Sequence, residues 1–198
     1  MKLYISIVLL QLLLFFNATA EMEKGTFLLG ARIGVGASNL KGDVADNSSK
    51  FNFHAGIIAD YAFSHHYYME TGCFLTNKGC KYDVLDKTET INMFYLEFPI
   101  LSSFRININN ECGINLQFGP YAAIGVFGNN RTLPDEPRTF SEDGGFKRFD
   151  AGLKLAAGWQ ISEFSITFGY DIGCLNVSHL EGYSVRTTLF HTTFGYDF

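Results

Sequence analysis

From Thr26 to the last residue, apolar side chains return at every second position, the period of a β-strand whose two faces meet different surroundings. Residues 51–63 show it most clearly. Phe51, Phe53, Ala55, Ile57, Ala59, Tyr61 and Phe63 share one face, opposite Asn52, His54, Gly56, Ile58, Asp60 and Ala62. The same reading divides the rest into segments at residues 26–37, 67–78, 91–104, 112–127, 149–161, 164–177 and 185–198, which makes eight strands. Their mean length of about 13 residues is long for a globular strand and suits one that is tilted across a bilayer and projects beyond it. The connections at 38–50, 79–90 and 128–148 are long, whereas 64–66 and 162–163 are tight turns. An even number of strands with short turns at one end and long loops at the other predicts an all-β fold: an eight-stranded antiparallel up-and-down transmembrane β-barrel.

The compartment follows from the first 20 residues. Lys2 precedes the apolar stretch Tyr4–Phe16, and Ala18-Thr19-Ala20 has the form of a cleavage site, so residues 1–20 read as a signal peptide and 21–198 as the barrel domain. The apolar stretch is shorter than the ~20 residues of a spanning helix. Any later membrane crossing has to be made by strands, because lipid leaves backbone polar groups no other partner. Lys and Arg number 15 against 20 Asp and Glu, a net charge of −5, which argues against nucleic acid as a partner. The four cysteines, Cys73, Cys80, Cys112 and Cys174, lack metal-site spacing, and the sequence selects no disulfide among them.

Alternation does not say which face is inside. A soluble, lipocalin-like carrier would point the apolar face inward around an apolar ligand. The polar face here is mostly Gly, Ser, Thr, Ala and Asn rather than the Lys and Glu of a soluble exterior. Tyr61, Phe63, Tyr67, Phe104, Trp159, Phe164, Tyr196 and Phe198 also gather near the short turns, as an interfacial girdle would. The apolar face is therefore expected to meet outer-membrane lipid.

Strand parity then points Arg32 and Lys154 into the lumen, together with Asp60, Glu70, Glu97, Asp150 and Asp171. An eight-stranded barrel is just wide enough for side chains to fill it, and buried charges need partners. The expectation is a lumen charge network of Arg32 and Lys154 with Glu70, Glu97 and Asp171, serving as a polar plug. Pro99 cannot donate to the ladder, so a bulge or a local break in pairing is expected there. Inward-facing His54 or His191 would be needed by an outer-membrane lipid or peptide hydrolase, but no G-x-S-x-G occurs. No catalytic, cofactor or metal residue is assigned. Residues 128–148 mix Pro, Gly and both charge signs and read as an exposed loop able to contact a protein partner.

The last segment, TLFHTTFGYDF, sets Phe194, Tyr196 and the terminal Phe198 on one face. It resembles the C-terminal signal read by the barrel assembly machinery of bacterial outer membranes. The strings LGARIGVGASNLKGD, FHAGIIADYAFS, YLEFPIL, LQFGPYAAIG, FDAGLKLAAGWQ and FGYDF also occur in that order. In this order the chain resembles the PorT-like outer-membrane β-barrel family. The resemblance implies a small bacterial outer-membrane protein with periplasmic termini and a structural, adhesion or secretion-related role. It implies no catalytic residue.

Overall fold

The computed structural model describes residues 24–43, 47–84, 87–108, 112–130, 139–140, 145–180 and 182–198. The expected signal peptide lies outside them. Nine strands form among the described residues: β1 (Phe27–Gly42), β2 (Asn47–Ser48), β3 (Lys50–Ala62), β4 (Tyr67–Val84), β5 (Lys87–Asn107), β6 (Cys112–Asn130), β7 (Phe149–Ile161), β8 (Phe164–Gly173) and β9 (Val185–Asp197). Apart from β2, a two-residue piece beside β4, each strand pairs antiparallel with its sequence neighbour. First strand β1 also pairs with last strand β9, and β4 joins both β3 and β5, so the sheet closes with eight staves. Phe198 N donates to Leu29 O (2.8 Å), which carries the seam to the final residue.

Closure decides the direction of the two faces. Ile57 is 66% exposed, Phe53 and Phe168 are each 43% exposed and Phe98 is 42% exposed, whereas Asp60 and Glu97 are at 0%. The alternating apolar face is outside, which rules out a carrier that turns that face inward around a ligand. Outward rings form a near-continuous belt at the short-turn end. Its contacts run Phe27–Tyr61 (4.8 Å between centroids), Tyr61–Phe63 (4.8 Å), Phe63–Tyr67 (5.7 Å) and Tyr67–Phe104 (5.1 Å), with Phe164–Tyr196 (5.1 Å) and Tyr196–Phe198 (5.6 Å) beyond the seam. Amphipathic rings favour the level where hydrocarbon gives way to headgroups.

The strand ends correct the sequence reading at several points. The β4–β5 hairpin continues to Val84 and Lys87, so strand pairing takes up most of the expected loop at 79–90, and β6 runs to Asn130. Strand β8 stops at Gly173, so Cys174–Val177 leaves the sheet. Asn176 organises that exit: its Oδ1 accepts from Ser178 N (3.0 Å) and Val185 N (2.9 Å), and its Nδ2 donates to Tyr183 O (2.8 Å). Pairing is interrupted beside Pro99, but the register there is unchanged. The shift lies between Phe94 and Tyr95, opposite Phe127 and Gly125, where Val126 is the extra residue. Val126 and Phe127 consequently both face outward. At the β7–β8 turn Ser162 adopts φ 53°, which fits a two-residue hairpin to the strand twist. Its Oγ donates to Glu163 Oε2 (2.7 Å), holding that exposed carboxyl below the usual range.

Ile57 lies on the outward face midway between Phe51 and Phe63. Ile57→Arg is expected to lower the folding free energy by about 2–4 kcal/mol. The measurement is urea titration of bilayer-refolded protein, followed by the heat-modifiable gel band; an unchanged midpoint would place Ile57 away from lipid.

Candidate functional site

Inward positions alternate with the lipid-facing ones on every strand, so the lumen collects a polar side chain from each stave. Among the described residues, five cations (Arg32, Lys50, Lys78, Arg105 and Lys154) and six carboxylates (Asp60, Glu70, Glu97, Asp150, Asp171 and Asp197) lie inside the barrel, Lys50 bonding to Asn77 and Lys78 O instead of a carboxylate. They separate into storeys along the barrel axis.

Nearest the short turns, Arg32 Nη2 pairs with Asp197 Oδ1 at 2.6 Å, and Arg105 pairs with Asp60. Gln160 Nε2 donates to Asp197 Oδ2 (2.9 Å) and Gln117 Nε2 to Glu70 Oε2 (2.7 Å). Arg105 also stacks over the Tyr68 ring at 4.4 Å. Each cation here meets a carboxylate, as burial of charge requires, and the two amides add bonds to Asp197 and Glu70, whereas among the described residues Asp60 Oδ1 and Arg105 Nε are buried without a hydrogen-bond partner.

The middle storey is one connected chain. Lys154 Nζ lies 2.9 Å from both Glu97 Oε1 and Asp171 Oδ2, and Lys78 Nζ lies 2.9 Å from Glu97 Oε2 and 3.2 Å from Asp150 Oδ2. Asp150 Oδ2 also accepts from Thr187 Oγ1 (2.8 Å) and the Tyr121 hydroxyl (3.3 Å). Lys78 Nζ sits 4.2 Å over the Tyr121 ring. On the other side of Lys154, Asp171 Oδ1 is 3.3 Å from His191 Nε2. Thr193 Oγ1 is 2.9 Å from both His191 Nδ1 and His54 Nε2. The chain draws on every stave except β1, which contributes space instead: Gly34 faces the His54 ring so closely that no Cβ fits.

Above this the lumen turns apolar. Leu40, Cys80, Ile91, Met93, Tyr95, Tyr121, Ala123, Phe140, Phe146, Val177 and Val185 form a buried cluster. Phe140 and Phe146 come from the 128–148 connection, which was expected to be wholly exposed. Its described part folds into the barrel mouth instead. Thr139 Oγ1 donates to Asn92 O (2.9 Å), Thr139 N to Gly128 O (3.1 Å) and Lys147 N to Val177 O (2.8 Å). The Phe140 ring meets Tyr95 edge-on at 5.3 Å. Burying two aromatic rings outweighs the solvation of a short polar stretch.

Of the residues singled out in the sequence, the structure brings Lys154, Glu97 and Asp171 into direct contact. Arg32 lies a storey below, on Asp197, and Glu70 is held by Gln117. Lys78, Arg105 and Asp197 were not singled out, although all three continue the inward parity of their strands. The four cysteines form no disulfide with one another.

The Asp171–His191–Thr193 sequence has the order of an acid, a base and a hydroxyl nucleophile. Its setting does not support hydrolysis: Thr193 Oγ1 is held by two imidazoles, and the adjoining cavity measures about 40 Å³, room for about three waters. Among the described residues, no group of His, Cys, Asp or Glu is arranged to hold a metal ion.

The closed antiparallel barrel agrees with comparison to known proteins. The sequence profile for the outer membrane protein beta-barrel domain matches residues 17–178. No curated protein matches the chain. Among solved structures, Neisserial surface protein A is similar with a TM-score of 0.52 at 10% identity, covering 87% of this chain and 97% of its own. Ail, the attachment invasion locus protein of Yersinia pestis, solved with the heparin analogue sucrose octasulfate, covers 89% of this chain and 100% of its own at 17% identity, with a TM-score of 0.44. The N-terminal β-barrel domain of Pseudomonas aeruginosa OprF covers 85% and 97% at 10% identity, with a TM-score of 0.39. The chain belongs to the outer membrane protein β-barrel domain family and is an integral protein of the bacterial outer membrane.

Proposed function

We propose that this barrel is a non-enzymatic, non-conducting scaffold that fixes its long-loop end at the cell surface for a structural, adhesion or secretion and assembly role. The observation that carries this reading is the filled lumen: a bonded charge network through the middle, an apolar cap at one mouth and a cavity of only about 40 Å³ between the storeys. A barrel so filled passes no solute, and what remains for it to present is its rim. Short turns and both termini then lie in the periplasm, with the long connections outside. The ordered strings from Leu29 to Phe198 support a place among the PorT-like barrels, whose named member is associated with protein secretion. Residues 21–198 would be the mature domain. A crosslinking partner map from the long-loop end tests the role: a reproducible protein partner supports it, and a rim that captures nothing in intact cells opposes it.

The charge network acts in this reading as the plug that fixes strand register. Lys154→Met leaves Glu97 and Asp171 facing each other without their shared cation and is expected to cost about 3–5 kcal/mol. Adding Glu97→Gln and Asp171→Asn should return much of that loss. Arg32→Met should cost less, because Gln160 still holds Asp197. Denaturant titration in micelles measures all three, and an unchanged Lys154→Met midpoint would remove the plug. In planar bilayers the wild-type protein should show no steady conductance; porin-like steps would contradict a sealed lumen.

Phe194, Tyr196 and Phe198 are the residues proposed to be read by the barrel assembly machinery. Phe198→Ala should reduce outer-membrane insertion in cells while leaving unassisted folding into detergent unchanged. Equal loss in both assays would make Phe198 a stability residue and not a signal.

A further inference from the structure

Lys41 on β1 and Arg186 on β9 are direct cross-strand partners, and both are exposed on the outward face. Like charges directly opposite each other in an antiparallel pair repel. Among the described residues neither is paired with a carboxylate, and Lys41 Nζ lies within hydrogen-bond reach of the Tyr170 hydroxyl (3.3 Å). The pair sits above the outward apolar band at the long-loop end: one step towards the membrane, Thr188 is opposite Ile172, and at the next Phe190 is opposite Tyr170.

Two concave surfaces meet at Tyr170. The upper one, about 370 Å³, is lined by Lys41, Tyr170, Ile172, Ser184, Arg186 and Thr188. The lower one, about 470 Å³, is an apolar trough over Leu116, Phe118, Leu155, Ala157, Phe168 and Phe190. Ala157 forms its floor because it lies in register between Leu116 and Phe168, so a methyl group separates two large side chains. A cationic seat with hydroxyls above an apolar trough running towards the membrane interior matches an amphiphile with an anionic head and an acyl tail. Arg favours oxyanions that accept more than one hydrogen bond, and two adjacent cations favour a group carrying more than one charge.

We propose that the β1–β9 rim binds the phosphate headgroup of a membrane lipid between Lys41 and Arg186, with an acyl chain in the trough floored by Ala157. This goes beyond the scaffold reading, since a sealed barrel needs no lipid site.

The test is native mass spectrometry of the full barrel in non-ionic detergent, titrated separately with phosphatidic acid, phosphatidylcholine of the same acyl chains, and inorganic phosphate. Phosphatidic acid should be retained in preference to phosphatidylcholine. Lys41→Gln and Arg186→Gln should each weaken it roughly fivefold, and together roughly thirtyfold. Lys24→Gln, an exposed cation at the opposite end, should change nothing. Ala157→Phe fills the trough on a face where aromatics are at home and should weaken phosphatidic acid without touching the cations. Heat-modifiable migration scores folding of every variant beforehand, so a failed barrel is separated from a failed site. Equal retention of both lipids, or retention unaffected in the Lys41→Gln, Arg186→Gln double variant, overturns the proposal. Inorganic phosphate bound as tightly as phosphatidic acid assigns the seat to free phosphate and overturns the lipid reading.

Discussion

A backbone crossing hydrocarbon has no water to bond to, so every N–H and C=O must find a partner in the chain itself. Here that constraint is met by making β1 and β9 neighbours, and the remaining architecture follows from the closure. Once the sheet closes, period-two alternation becomes a radial division, with each strand sending one set of side chains to lipid and the other to the axis. Eight staves leave an interior that side chains can fill, and filling it is required because lumen voids forfeit packing contacts.

The filling inverts the usual protein interior. Lys154 shared between Glu97 and Asp171, and Lys78 between Glu97 and Asp150, hold β4, β5, β7 and β8 across the axis through ionic contacts. A strand that slipped by one residue would turn these charges towards lipid and its aromatics inward. On the proposed plug reading, that penalty is what the network contributes to strand register. The apolar cap contributed by Phe140 and Phe146 belongs to the part of the barrel that extends past the membrane, where the surroundings again favour burying rings.

Parity made much of this legible. Seven alternating apolar residues at 51–63 and the terminal aromatic set are enough to specify strands, and the inward placement of Arg32, Glu70, Glu97, Lys154 and Asp171 follows by counting. What parity missed lies at strand ends. Lys78 continues the inward series of β4 just where the outward alternation passes from Leu75 to Asn77 and Gly79, and Arg105 continues that of β5 one residue past the segment read as strand, although Ile106 and Ile108 carry the outward apolar series on. Asp197 sits among the terminal aromatics, which mask its inward partner. The Val126 bulge has no sequence signature stronger than two adjacent apolar residues, and the inward fold of Phe140 depends on Gly125, whose missing Cβ leaves room for that ring.

The seam joins the first strand to the last, and Arg32 clasps Asp197 across it while its Nη1 donates to Tyr196 O (3.3 Å). A chain that stops before β9 cannot make this contact, and a sheet lacking β9 presents two open edges able to pair with other chains. The closing pairs are also the most distant in sequence, so they carry the largest loop-closure entropy and slow the final step. Closure of the barrel therefore depends on the two strands most distant in sequence meeting last, and the Arg32–Asp197 clasp is a side-chain contact made only when they do.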